Sequence, residues 1–289
     1  MEARARAAGS APDAKEAVAV RPRDHAEGAP GEDGRAGRRD GNPPSCSGTG
    51  PSGGAESGGT DAAEVIAEAV RDVPPAEVPR RLCGVAVRLL PLRGASVSLR
   101  AEGMPVQLGA SDATAARLGE VQATLGDGPC LHAAAIGAPV LATDLADGPE
   151  ARRWPVFAQQ AAEAGVQAVY SFPLGNDAVC VGTLDLYSAE PRVLSPPELR
   201  TAHLVAGVMT LALMALPHAG DDEEETSWLS ALAADHDEVQ QAIGMIMAQL
   251  GIDADEALAR LRAHAFARGR TALDVAHEVI TQRKRFDRD

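Results

Sequence analysis

The chain has 289 residues, room for two domains of ordinary size, with a net charge of −14 and only 3% aromatic residues. This acidic balance excludes a uniformly basic nucleic-acid-binding protein, so any contact with a polyanion must rest on local charge placement. The four cysteines, Cys46, Cys83, Cys130 and Cys180, form no CxxC pair and have no knuckle-like spacing with His, which argues against a disulfide framework and a metal site and for a reducing cytoplasm.

Residues 1–60 contain no Phe, Trp, Tyr, Ile or Leu and are crowded with Gly, Pro, Ser and mixed charge. Such a segment cannot bury enough apolar surface to offset the entropy of ordering and is expected to be a disordered tail. Its charges interrupt any apolar stretch of an export signal. From Asp61 the pattern changes, and Val78, Leu82, Val85 and Leu89 recur at helical spacing. Short strands are predicted at 94–100 and 105–109. A helix capped by Asp112 runs to Leu125, a Gly126–Cys130 turn feeds a short helix, and 139–142 is a strand. A helix around 154–164 precedes two strong strands, 166–174 and 178–187, joined at Gly175-Asn176-Asp177 as an antiparallel hairpin. Ser195 and Glu198 form a capping box for a long apolar helix ending at Leu216, too short and interrupted to span a bilayer. These elements delimit a domain at 61–217, followed by an acidic linker at 218–226.

Residues 227–289 read as three helices. Val239, Ala242, Ile243, Ile246, Met247 and Leu250 line one face before Gly251. Asp253 and Glu256 form a capping box for the second helix, which carries Leu258, Leu261 and Ala265, and Thr271 caps a third with Leu273, Ala276, Val279 and Ile280. Arg260, His264 and Arg268 fall at i, i+4 and i+8 and so make one stripe. Between 260 and 285, seven Arg and Lys residues face only Asp274 and Glu278. The stripe is either a solvated face or a track for phosphate. Trp228, Leu229, Leu232 and Val239 can extend the first helix into a coiled coil, which carries the expectation of a homodimer.

Gln241-Ala242-Ile243-Gly244-Met245-Ile246-Met247, Gly251-Ile252, Glu256-Ala257-Leu258, Leu261-Arg262, Ala265 and Asp274-Val275-Ala276 together resemble the ANTAR family of antitermination regulators. Leu125-Gly126-Asp127-Gly128-Pro129-Cys130, Trp154-Pro155-x-Phe157, Ser171-Phe172-Pro173-Leu174 and Gly182-Thr183-Leu184-Asp185-Leu186-Tyr187 resemble a GAF domain of the kind fused to ANTAR modules in actinobacteria. The resemblance implies an α+β GAF domain, its central antiparallel sheet flanked by helices, followed by an all-α three-helix ANTAR domain. It further implies a sensor of a small molecule or redox signal coupled to RNA-hairpin binding that regulates transcription antitermination. The competing reading is a sensor whose C-terminal helices only dimerise or bind a protein.

The expected RNA contacts are Arg260, Arg262, His264, Arg268, Arg270, His277 and Lys284, with His277 facing either RNA or water. Ala242, Gly244, Met247, Ala257, Ala265 and Ala276 are expected to let the helices approach, so that bulk there overpacks the core. Cys130, Trp154, Phe157 and Phe172 are candidates for a ligand pocket. Cys130 follows Gly-Pro at a helix start, where the dipole lowers a thiol pKa, and reads either as a redox-active thiol or as a buried packing residue. There is no P-loop, HExxH, GxSxG or dinucleotide fingerprint, and the chain reads as a non-enzyme with no cofactor of its own.

Overall fold

The computed structural model describes residues 57–101, 104–176, 179–215 and 223–287. The expected tail up to residue 56, Cys46, and linker residues 218–222 lie outside this set. The described chain begins earlier than the hydrophobic pattern did: α1 (Ser57–Val70) is helical through positions assigned to the tail, and its Ala62 and Ile66 are buried. Beyond a short 3₁₀ turn (Pro75–Glu77) come α2 (Val78–Leu89), β1 (Gly94–Leu99), β2 (Val106–Ala110), α3 (Ala113–Leu125), α4 (Pro129–Ile136) and β3 (Val140–Ala142). The single helix expected around 154–164 is instead α5 (Pro149–Arg153) and α6 (Pro155–Glu163), broken at Trp154 because Pro155 disfavours helical geometry in the residue before it. β4 (Ala168–Gly175), β5 (Cys180–Ser188) and α7 (Pro196–Ala215) complete the first domain.

The sheet is five-stranded and wholly antiparallel, in the order β2-β1-β5-β4-β3. Both faces are covered, so alternation along each strand distributes residues between two interiors rather than between core and water. Ala95, Val97, Ala168, Tyr170, Phe172, Leu174, Leu184 and Leu186 point to one side and pack with buried residues of α1, α2 and α7. Val169 and Tyr187 point to the other, where Ala115, Leu118, Trp154, Phe157 and Ala161 complete a second core. α7 is the one helix among the described residues long and apolar enough to cross a membrane by length and composition; Ala202, Val205, Ala206, Met209 and Leu213 bury its inner face.

The C-terminal domain is three helices, α8 (Glu223–Leu250), α9 (Ala254–Ala267) and α10 (Ala272–Ile280). α8 starts inside the acidic segment, so Glu223–Glu225 are helical rather than linker. Asp253 accepts from the Glu256 N–H at the start of α9, and Thr271 with Asp274 forms a complete capping box on α10. Ala242, Ala257, Ala265 and Ala276 are fully buried where the helices meet, with Met247 packed at the margin. Ile243 is buried beside them, as is Val239, which faces this core; the side chains of Trp228, Leu229 and Leu232 lie outside the described set. Gly244 departs from expectation. It is exposed, and a Cβ built there meets nothing within 4 Å, so it is not a point of helix approach.

Candidate functional site

The sheet's second interior is polar at its centre. Ser96, Ser98, Ser171, Thr183 and Asp185 alternate with the apolar residues of β1, β4 and β5, and all five are buried. The signal was legible as the small-polar positions between Val97, Phe172, Leu184 and Leu186, but hydrophobic spacing alone gives no reason to bury them. Ser171 donates its hydroxyl to Asp185 Oδ1 at 2.5 Å, and Gln122 Nε2 donates to Oδ2 at 3.2 Å. Removal from water outweighs these two donors and lifts the Asp185 carboxyl to about 7. Ser96 Oγ and the Tyr187 hydroxyl lie 2.9 Å apart in the same layer.

Gln122 ties this layer to the Gly126–Cys130 turn. Its Oε1 accepts the Cys130 N–H at 2.8 Å, satisfying one of the backbone donors left open at the start of α4. Gly128 has φ 143°, and a Cβ there would come within 2.7 Å of Gln122 Oε1, so the glycine makes room for the cap. Gly126 ends α3 with φ 68°, the left-handed geometry of a helix C-terminus.

Cys130 is 3% exposed, and burial together with the nearby Asp185 raises its thiol well above the ordinary range. The helix start does not activate it, because the desolvation of a thiolate here outweighs the backbone N–H groups. His132 belongs to the outer surface and lies 2.9 Å from Arg153, which in turn stacks on Trp154. The four aromatic and thiol candidates do not share a pocket. Phe172 packs in the first core and touches His203 edge-on, whereas Trp154 and Phe157 sit in the second, on the opposite face of the sheet. Cys130 borders a cavity of about 150 Å³ between α4 and the β1–β5 pair, with Ser98, Arg100 and Thr183.

On the C-terminal domain the cations divide by partner. Arg260 pairs with Glu256 at 3.4 Å, Arg270 with Glu278 and, at 3.9 Å, Asp274, and His277 with Glu238 at 3.4 Å. Arg262 is half-buried and lies over Gly126 at the end of α3, where burial lowers its pKa. It makes a contact between the domains. Arg268, Arg283, Lys284 and Arg285 have no acidic partner among the described residues. Arg268 Nη1 lies 2.8 Å from His264 Nδ1, the His264 ring meets Phe286 at 5.2 Å, and Lys284 Nζ sits 5.1 Å from the Phe286 centroid. Burial, then Lys284 and Arg268, hold His264 below its ordinary pKa. The chain beyond α10 therefore returns to α9 and builds, from residues 264, 268, 284 and 286, a cluster with excess positive charge and an aromatic face.

The two domains touch along α3 and α9–α10. Besides Arg262 over Gly126, the Ala272 N–H donates to Thr124 Oγ1 at 3.2 Å.

A family model described as a GAF domain matches residues 73–214, and one described as an ANTAR domain matches residues 229–280. Among solved structures, the chain is similar to free methionine-R-sulfoxide reductase from Neisseria meningitidis, in complex with its substrate, at 14% identity over 55% of this chain and 89% of that one, TM-score 0.42. It is also similar to the GAF domain of the Acinetobacter phosphoenolpyruvate-protein phosphotransferase, at 10% identity over 57% and 96% of the two chains, TM-score 0.43. The GAF domain of the corresponding Coxiella burnetii protein gives 13% identity over 56% and 96%, TM-score 0.45. No curated protein matches the chain.

Proposed function

This chain carries a GAF domain followed by an ANTAR domain, and from that premise we propose that it is a signal-responsive, RNA-binding regulator of transcription antitermination. The observation that carries the reading is the cluster of His264, Arg268 and Lys284 against Phe286, where two cations without an acidic partner among the described residues, Arg268 and Lys284, stand beside an imidazole and an aromatic ring. Guanidinium and ammonium groups without acidic partners are free to release counterions when phosphate binds, and an aromatic face suits an unstacked loop base. Binding an RNA hairpin that competes with a terminator is the regulatory act. The GAF domain takes a small-molecule signal between its sheet and helices, beside the Ser171–Asp185–Gln122 layer, without catalysis or a resident cofactor. We place the protein in the cytoplasm, as a homodimer.

The test is hairpin-RNA binding by the full chain at several salt concentrations. Replacing Arg268 and Lys284 together by Ala removes two phosphate contacts, so the slope of log K against log salt should shrink by about 2 and affinity should fall at all sequences. Arg260→Ala, which removes a cation already engaged by Glu256, should change the slope less. Unchanged affinity and slope in a folded double variant would leave the three helices as a dimerisation or protein-binding element.

A further inference from the structure

Residues 61–225 hold eleven arginines, no lysine and twenty-two acidic residues, so cations are scarce on the GAF side of the chain. Three of those arginines nevertheless line a single groove of about 270 Å³. α2 contributes Arg80, Arg81, Gly84 and Arg88 to it, α1 contributes Ala69, and Ser111 enters just beyond β2. The remaining lining is apolar, and no acidic side chain belongs to it among the described residues.

Residues 80, 84 and 88 fall at i, i+4 and i+8, so they share one face of α2, with Arg81 beside them. Like charges gathered on a helix face destabilise it unless acids answer them. The answering acid is Glu77, 3.7 Å from Arg80 and 3.9 Å from Arg81, and an exposed pair at such distances contributes little. Arg88 has no acidic partner among the described residues. Asp112, next to Ser111, is already engaged, because its carboxylate accepts the Ser111 hydroxyl and the N–H groups of Thr114 and Ala115. In the middle of the arginine face stands Gly84, where a Cβ would meet nothing within 4 Å. No contact within the chain requires a glycine there, and its missing side chain leaves the groove open between the arginines.

We propose that this groove binds a diphosphate group, the linked phosphates of a small molecule, with Arg81 and Arg88 donating to its two ends and the link passing over Gly84. Guanidinium forks match phosphate oxygens in pairs. Arg81 and Arg88 are separated by about 10 Å along the helix axis, at about 1.5 Å per residue, a span that suits linked phosphates better than a single one. No aromatic side chain lines the groove, in contrast to the Phe286 cluster. It therefore offers contacts to phosphate without a face for an unstacked base, which favours a small diphosphate over RNA. The groove shares no lining residue with the Cys130 cavity, and the inference does not rest on RNA binding.

Calorimetry and amide NMR on the full chain test it, with pyrophosphate, orthophosphate and ADP as probes. Pyrophosphate should bind about tenfold more tightly than orthophosphate and move the Gly84 amide, and ADP should bind at least as well. Arg81 and Arg88 are exposed, so Arg81→Gln and Arg88→Gln should leave the melting temperature unchanged while each weakens pyrophosphate about tenfold. Glu77→Gln should tighten it, since the competing carboxylate is gone. Gly84→Ala should raise the melting temperature, because the methyl meets open space on a helix interior, and yet weaken pyrophosphate, so that lost binding is not lost fold. Arg152→Gln, an exposed arginine of α5, and Arg268→Ala should leave pyrophosphate affinity as it was. Three results would each overturn the proposal: no saturable binding at millimolar pyrophosphate, equal losses in Arg88→Gln and Arg152→Gln, or α2 variants that weaken hairpin RNA but not pyrophosphate.

Discussion

Asp185 should make the stability of the GAF domain fall as pH rises from about 4 to about 7. In the unfolded chain its carboxyl ionises near 3.8, while in the folded protein burial delays ionisation to about 7. Between those values the native state holds a proton that the unfolded state has released, so raising the pH favours unfolding. The stabilisation is fully present below 3.8 and is lost as pH passes through about 7. A difference of about three units corresponds to at most about 4 kcal/mol, at about 1.4 kcal/mol per unit. Urea unfolding of the wild type and Asp185→Asn should be compared across this window. The Asn Oδ1 still accepts from Ser171, but its amide nitrogen then faces Gln122 Nε2, donor against donor, a penalty of about 1–3 kcal/mol that does not vary with pH. The informative quantity is therefore the pH slope, not the absolute stability. The variant should lose the downward slope that the wild type shows. Parallel curves would mean that Asp185 titrates as in water, and the polar layer would then have to be open to solvent.

Two further substitutions separate exposed from buried small residues on α8. Gly244→Ala should stabilise by about 0.5–1 kcal/mol in thermal or urea unfolding, since the new methyl meets open space and removes a helix-interior glycine. Ala242→Leu should instead destabilise by about 1–3 kcal/mol through overpacking. Thiol labelling with a disulfide reagent, in a Cys46→Ser background, should modify half-buried Cys180 in the native protein and leave Cys83 and Cys130 until the chain unfolds. Burial raises the Cys83 thiol to about 12 and the Cys130 thiol well above its ordinary range. Native labelling of Cys130 as fast as Cys180 would contradict this.

Most of the architecture was legible because local chemistry and tertiary demand agree. Asp112, Asp253 and Thr271 cap helices where capping predicts, accepting backbone N–H groups two or three residues ahead. The β4–β5 hairpin forms across the expected turn. What spacing could not supply was the far partner of each side chain. Arg262 shares a helix with Arg260 and Arg268, yet only the approach of α3 turns it toward Gly126. Arg270 reads as another free cation until the α9–α10 turn brings Glu278, eight residues on, against it. Gly244 looked like a contact because small residues at helix crossings are small for that reason, but the same residue type on an outer face carries no such demand. α1 escaped notice because its apolar surface is mostly Ala, Val65, Ile66 and Val70 excepted, and it gains helical order by packing on α2 and α7.

The same distinction bears on the site. A stripe defined by i, i+4 spacing assumes that charge placed on one helix is charge available to a ligand. Here availability is decided by partners: Glu256 on the same helix engages Arg260, acidic residues of other elements engage Arg270 and His277, and the neighbouring domain packs on Arg262. The cations with no acidic partner among the described residues, Arg268 and Arg283–Arg285, come from the end of α9 and the chain beyond α10, two segments that the tertiary fold brings side by side. The proposed polyanion surface is consequently a property of the α9–tail junction. Its integrity depends on the contacts that hold the tail down, among them the Phe286 N–H donated to Gln249 Oε1 at 2.8 Å.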